Sequence, residues 1–385
     1  MVMRKIFAIL GSGMQGTAVA YDVARFGDPA TIWMADVDPQ QAERNASRVN
    51  SLVGRDVCRA KRVDALNVPE LREFLRDVDV LVSCVPYWMH PKISPVAVET
   101  RTNMVDMGGS TEVALRTLEG AKGAAEAGVA VVPDTGLAPG MVNDIGCYLM
   151  EQMDEPEDIR LYCGGLPQDP KPPFNYKLVF NIEGLVVEYS GQADVLRDGK
   201  LTKVDTLTEL EEFDHPRLGK LEAFVTSGGA STAPFTLQGK VANYQYKTLR
   251  YPGHCALMKV FKDFGFWGEE PIETRAGKAV PREVFHALMG PGLSVEGKDL
   301  IVVRGVGKGK KNGQPFEKTV DILDYHDDAT GFSAMERMTG FSTSIYAIAI
   351  AQGVIPPGAH RYETAMSGAH YMSELRKRPF SIQES

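Results

Sequence analysis

The sequence predicts an α/β protein: a doubly wound Rossmann-type domain on a parallel sheet, and a second α+β domain containing a mostly antiparallel sheet. Three observations carry this. A glycine loop, Gly11-Ser12-Gly13-Met14-Gln15-Gly16, lies between an apolar run and a small-residue helical segment. Short apolar runs then alternate with helical patterns as far as residue 133. After about residue 153 this gives way to strand patterns joined by turn signals such as Asp198-Gly199. At 385 residues the chain is longer than one core usually serves, so two domains are expected.

Ile6 to Leu10 reads as a strand, and Thr17 to Phe26 as a helix stopped by Gly27, Asp28 and Pro29. In the loop between them the first glycine makes the tight turn and the second lets the backbone approach a pyrophosphate. The third lets the helix pack close on the strand, and the helix N-terminus receives the charge. The next apolar run ends at Asp36, where a carboxylate accepts hydrogen bonds from an adenosine ribose and repels a 2′-phosphate. No arginine follows at once, so NAD is expected over NADP. Asp38-Pro39 opens a helix to about Ser51, residues 56–63 read as a strand and residues 69–76 as a helix. Val78 to Val85 reads as a doubly buried strand ending in Pro86, Tyr87, Trp88, Met89 and His90. A strand at 103–107 ends in Gly108, Gly109 and Ser110; a helix over 111–127 and a strand over 129–133 follow. Ligands bind beyond the carboxyl ends of such strands. The segments 11–16, Asp36, 86–90, 106–110 and 134–140 are therefore expected to line one crevice, with cofactor contacts from residues 11–16, Asp36, Val85, Pro86 and Gly108.

In the second half, strands are expected at 158–163, 177–181, 193–197, 201–205, 221–227, 243–250, 300–308 and 319–325, with helices at 253–264 and 281–290. A last helix, Ser333 to Gln352, has Met335, Met338, Phe341, Ile345 and Ile348 as apolar positions.

A net charge of −8 gives no footprint for nucleic acid or an anionic membrane, and the basic run Lys308 to Lys311 abuts Asn312-Gly313 as a solvated hairpin tip. Five cysteines lack C-x-x-C spacing and seven histidines lack H-x-x-x-H spacing, so neither a disulfide framework nor a metal is implied. The apolar run after Arg4-Lys5 is too short for a signal peptide, and no apolar stretch approaches the roughly 20 residues of a membrane span. A soluble cytoplasmic protein acting on a small molecule is expected.

The segments GSGMQG (11–16), VPYWMH (85–90), VDMGGS (105–110), VPDTGLAPGMVND (132–144), EGLVVEY (183–189), TSGGAST (226–232) and KTLRYPGH (247–254) are spread over nearly the whole chain. On them the chain resembles the saccharopine dehydrogenase-like oxidoreductases, and within these the lysine 6-dehydrogenases. The resemblance implies that residues after about 335 return to the nucleotide-binding domain formed by 1–133, leaving about 134–334 for substrate binding and dimerisation in a homodimer or higher homo-oligomer. It also implies NAD-linked oxidative deamination of the ε-amine of L-lysine to the 6-semialdehyde, which cyclises, with release of ammonia and NADH. A saccharopine dehydrogenase, needing room for a glutamate arm, is the related alternative. A non-catalytic dinucleotide sensor is the alternative of another class.

Such a reaction needs a base, because an ε-ammonium has a pKa of about 10.4 and must lose a proton before hydride leaves. It needs a bidentate cation for the α-carboxylate and an acceptor for the α-ammonium. Arg250 is the candidate for the carboxylate, against a structural ion pair. His254 is a candidate acid–base group, against a helix-start cap, and Asp134 another, against a turn-starting aspartate. Tyr87 and His90 lie in the loop expected to face the nicotinamide. Asp106, Thr226, Ser227, Ser231 and Thr232 offer substrate contacts. The base stays open among Asp134, His254, His90 and Asp106.

Overall fold

Apolar runs in the first third of the chain form parallel strands in the computed structural model, which describes residues 4–385. In order come β1 (Ile6–Leu10), α1 (Met14–Phe26), β2 (Thr31–Asp36), α2 (Pro39–Val53), β3 (Cys58–Arg62), α3 (Val68–Leu75), β4 (Val80–Ser83), α4 (His90–Glu99), β5 (Asn103–Asp106), α5 (Thr111–Gly120), α6 (Ala124–Ala127), β6 (Ala130–Val132) and α7 (Val142–Glu151). Local chemistry sets their ends. Asp38 caps α2 by accepting from the Gln40 amide, Pro39 fits its first turn, and Gly54 closes it in the left-handed region. The helix expected over 111–127 is two helices, because Gly123 sits at φ +94° and breaks the run. Helix α4 starts where a loop was expected, since Pro91 is tolerated in a first turn.

The second half supplies β7 (Glu155–Pro167), α8 (Ile182–Tyr189), β8 (Gln192–Arg197), β9 (Lys200–Asp205), β10 (Glu211–His215), β11 (Gly219–Phe224), α9 (Ala233–Leu237), β12 (Asn243–Arg250), α10 (His254–Asp263), β13 (Ile272–Thr274), β14 (Gly277–Ala279), α11 (Pro281–Leu293), β15 (Asp299–Lys311) and β16 (Gln314–Tyr325). Asp198-Gly199 and Asn312-Gly313 both lie at positive φ and close two-residue hairpins, as their chemistry predicts. Residues 177–181 are not a strand. Their apolar side chains, Leu178 and Phe180, pack on a core with Tyr176, Tyr189 and Phe224, while Asn181 ends the run by capping α8 through the Gly184 amide.

Then come α12 (Ala334–Ala351), β17 (Gly358–Ala359), α13 (Tyr362–Ala365), α14 (Gly368–Leu375) and β18 (Ile382–Glu384). The chain divides into two units. The first runs to Glu151 and regains residues 328–332 and 336–379. Its sheet is parallel in the order β17-β6-β5-β4-β1-β2-β3, so the strand order reverses at β1, whose carboxyl end carries Gly11. The second unit holds 152–327, 333–335 and 380–385. Its main run is β10-β11-β12-β7-β15-β16-β18, antiparallel apart from the β12–β7 pair, with β8 pairing on β12 and β9 on β8. The first unit extends past residue 133 because α7 packs tightly on α14: a Cβ on Gly368 would lie 2.2 Å from the Tyr148 amide nitrogen. Among the described residues, no helix is long and apolar enough to cross a membrane.

One buried ion pair ties the returning segment to α1. Arg378 Nη2 and Nε donate to Asp22 Oδ2 at 2.8 and 3.2 Å, Ser344 donates to the same oxygen, and the guanidinium lies 4.4 Å from the Phe26 ring centre. Both side chains are fully buried. Removing one partner leaves an uncompensated buried charge, so Arg378→Ala should cost about 3–5 kcal/mol in urea unfolding, and Asp22→Leu/Arg378→Met should recover most of it. Equal losses in the single and double variants would contradict this.

Candidate functional site

At the carboxyl end of β1 the backbone is crowded in a way that only glycine permits. Gly11 has φ +94°, and a Cβ there would lie 2.7 Å from the Cys84 carbonyl at the end of β4. A Cβ on Gly16 would lie 2.0 Å from the Gly11 oxygen, so α1 rests directly on the loop. Gly13 differs: nothing lies within 4 Å of its would-be Cβ, and as the N-cap of α1 it supplies no capping side chain. This open, uncapped helix start beside Met14 and Gln15 is a cradle that a pyrophosphate fits.

Asp36 is tied to that cradle. Its Oδ2 accepts from the Ser12 amide at 2.8 Å and from Gln41 at 2.9 Å, and its Oδ1 accepts from the Asp38 amide at 3.0 Å. The Ser12 hydroxyl donates to Ala35 O. The carboxylate thus braces the glycine loop and keeps one of its four acceptor positions for a ligand hydroxyl.

A second corner forms where β4, β5 and β6 end. The Asp106 Oδ1 accepts from the Gly108 and Asp134 amides at 2.8 and 3.0 Å, while its carbonyl accepts from the Thr135 amide and hydroxyl. Asp134 is held at φ +65°, a conformation non-glycine residues rarely adopt. Gly108 and Gly109 are obligatory neighbours: their Cβ atoms would lie 2.4 Å from Asp134 Oδ1 and 2.8 Å from Tyr87 Cβ. Tyr87, Asp106, Gly108 and Asp134 are thereby brought together in the first unit, and the Val85 amide lies 3.0 Å from where a Gly11 Cβ would be. Pro86 is exposed beside them. His90 is turned away from solvent: it is buried, with Nδ1 3.1 Å from Ser83 Oγ, and burial lowers its pKa.

In the second unit, Arg250 ends β12 and only 3 % of it is exposed. Its Nε donates to the Tyr189 hydroxyl at 2.8 Å and its Nη1 to Leu249 O at 2.9 Å. The guanidinium lies 5.0 and 5.7 Å from the ring centres of Tyr176 and Tyr189, and its Nη2 is 3.5 Å from Glu188 Oε2. His254 starts α10, also buried. Its Nδ1 lies 3.1 Å from Phe174 O, which only accepts, so that nitrogen carries the proton. Its Nε2 then accepts from the Tyr189 hydroxyl at 3.0 Å. Burial and the Arg250 charge push its pKa down to about 3. Both ring nitrogens are engaged, so His254 orients Tyr189 and through it Arg250.

The Thr226 hydroxyl lies 2.8 Å from that of Thr248, and Thr248 donates to Glu188 Oε1 at 2.8 Å. The single Thr248 proton is thus committed, and Thr226 and the Tyr246 hydroxyl, at 3.2 Å, are the donors to Thr248. Ser227 anchors the end of α8 by donating to Val187 O and Glu188 O. Ser231 and Thr232 are buried in the same loop. Glu188, Tyr189, Tyr176 and Thr248 belong to this cluster, and sequence reasoning did not single them out. Glu188 and Tyr189 close the segment EGLVVEY, but their alignment with Arg250 is visible only once α8 lies beside β12.

Comparisons with known proteins cover the whole of this architecture. The saccharopine dehydrogenase NADP binding domain matches residues 7–132, and the saccharopine dehydrogenase C-terminal domain matches residues 136–380. The saccharopine dehydrogenase [NADP(+), L-glutamate-forming] of Saccharomyces cerevisiae is 26% identical over 78% of this chain and 66% of its own length. The mitochondrial alpha-aminoadipic semialdehyde synthase of Mus musculus is 23% identical over 92% of this chain and 45% of its own. The chain therefore spans less than two thirds of either relative. The apo structure of saccharopine dehydrogenase (L-Glu forming) from Saccharomyces cerevisiae shares the fold, with a TM-score of 0.78 at 19% identity over 99% of each chain.

The buried neutral imidazole has a thermodynamic consequence. Unfolded histidine binds a proton below pH ~6.5, whereas folded His254 stays neutral down to about 3. Stability should therefore fall as pH drops through that window, and His254→Gln should flatten the profile by up to ~1.4 kcal/mol per pH unit. Identical slopes for the two proteins in urea unfolding from pH 6.5 to 4 would contradict the assignment.

Proposed function

The chain belongs to the saccharopine dehydrogenase family, and on that footing we propose that it oxidises the ε-amine of L-lysine with NAD to an imine, which water hydrolyses, yielding the 6-semialdehyde, ammonia and NADH. The dinucleotide half of the chemistry is assigned to the first unit and amino-acid recognition to the second. The bound nicotinamide supplies the hydride acceptor. The open turn at Gly13 and the start of α1 receive the pyrophosphate, Asp36 receives the ribose hydroxyl, and Val85, Pro86 and Gly108 flank the nicotinamide. Asp134 is our base: Asp106 fixes it in a strained backbone conformation at a strand end, the kind of position where strain serves chemistry. Tyr87 lies against the same corner as a hydrogen-bonding group. His90 and His254 take no proton in this account, because burial holds His90 against Ser83 and both nitrogens of His254 are engaged.

The observation that carries the choice of substrate is the Arg250 cluster. Two of the five N–H groups of its guanidinium make hydrogen bonds and Nη2 lies 3.5 Å from Glu188, so donors remain for a carboxylate, and the ring centres of Tyr176 and Tyr189 lie 5.0 and 5.7 Å away. The charged group beside it is Glu188, a carboxylate. Among the residues that bond to the cluster there is no second arginine of the kind that the glutamate arm of saccharopine calls for, which favours the smaller amino acid. NAD rather than NADP is inferred from Asp36, whose charge opposes a 2′-phosphate, although the matching family domain and the yeast relative are named for NADP.

Two measurements test this. NADH should form from lysine and NAD without 2-oxoglutarate, and a strict requirement for saccharopine or 2-oxoglutarate would overturn the reading. Asp36→Ala should narrow the NAD-over-NADP ratio of kcat/KM by about tenfold or more, the equivalent of ~1.4 kcal/mol. An unchanged ratio would show that Asp36 serves only as the brace for Ser12.

A further inference from the structure

The second unit contains an arrangement more specific than a carboxylate site. Arg250 and Glu188 carry opposite charges and face each other at 3.5 Å, outside hydrogen-bonding distance and without a shared fork. Each is oriented by groups other than its partner: Arg250 by Tyr189, Leu249 O and two ring faces, Glu188 by Thr248, which Thr226 and Tyr246 support in turn. Glu188 keeps 19% of its side chain exposed while Arg250 keeps 3%, so the carboxylate is reachable at the margin of a desolvated cation. Beside the guanidinium, the hydroxyl of Tyr176 is buried and has no partner at hydrogen-bonding geometry. A buried hydroxyl costs free energy unless it is bonded, so this one is a standing donor for an anion brought to Arg250.

We infer that Arg250, Tyr176 and Glu188 form a receptor for the zwitterionic head of an α-amino acid, in which Glu188 takes the α-ammonium while Arg250 and the Tyr176 hydroxyl take the α-carboxylate. The inference rests on the proposed lysine substrate and goes beyond it by making Glu188 the residue that demands an α-amino group. The head of an amino acid presents its two charges side by side, as the protein presents theirs. An oriented pair of this kind needs no rearrangement on binding and rejects a ligand with only one of the charges, because the other protein charge then loses hydration without a partner. The ε-amine, at the far end of the methylenes, makes no contact with this pair and stays free to react.

The test compares L-lysine with 6-aminohexanoate, which has the same chain and carboxylate but no α-ammonium, using the full-length protein and NAD. The wild type should favour lysine in kcat/KM. Glu188→Gln keeps an acceptor for Thr248 but removes the charge, and should lower kcat/KM for lysine by about 10- to 100-fold, the range of a hydrogen bond to a charged group. It should change that for 6-aminohexanoate by much less, so that selectivity collapses. Glu188→Asp, which retains the charge set back by one methylene, should fall between, and it keeps the comparison open if Glu188→Gln folds poorly. A parallel loss on both substrates, or undiminished selectivity in both variants, would overturn the assignment of Glu188 alone. Failure of the wild type to oxidise lysine would instead overturn the parent reading and this receptor with it.

Discussion

A guanidinium held almost out of water is the constraint around which the second unit is arranged. Burial works against the Arg250 charge, and Tyr189, Glu188 and Tyr176 more than offset it, so the group stays cationic. A buried cation is tolerable only when its donors are met and its charge is shared. The chain meets part of that demand with residues far apart in sequence, Tyr176 from an irregular run, Glu188 and Tyr189 from the end of α8, and His254 behind Tyr189 from the start of α10, and leaves the remaining donors to a ligand. The hydroxyl of Tyr189 is the joint, accepting from Arg250 and donating to His254. The histidine is thereby fixed in one tautomer, and the cation in one orientation, before any ligand arrives.

The first unit solves a different problem with the same economy of groups. A dinucleotide requires bare backbone at the end of β1, and bare backbone must be held in shape by something other than side chains of its own. Two aspartates at strand ends do this. Asp36 binds the Ser12 amide across from the neighbouring strand, and Asp106 holds both the Gly108 amide of its own loop and the Asp134 amide of the next. Glycine is required at 11, 16 and 108 because another atom already occupies the place of a side chain, whereas Gly13 keeps its space open.

Much of this was legible in the sequence because it is local. The strand–glycine loop–helix unit, the Asp198-Gly199 and Asn312-Gly313 turns and the parallel alternation all arise from neighbours within a few residues. What stayed hidden is non-local or masked by prolines. Arg378 reaches Asp22 across 356 positions, and no periodicity announces that contact. Helix α4 begins inside a segment with two prolines and reads as a loop. Residues 177–181 look like a strand because they are apolar, yet they pack as an irregular run. At the candidate site, His254 stands out as a lone histidine and suggests acid–base chemistry, but its partners make it a positioning group. Glu188 sits near the end of a mainly aliphatic helix, where nothing in its spacing marks it as a partner of Arg250.

In the proposed reaction hydride leaves the ε-carbon of lysine for a nicotinamide held by the glycine loop. The most direct test is turnover of L-lysine deuterated at both C6 positions, with the reduced cofactor examined by NMR or mass spectrometry. One deuterium is expected on C4 of the nicotinamide, and none from lysine labelled only at C2. Label arriving from C2, or a reduced cofactor free of deuterium from the C6-labelled substrate, would contradict that reaction.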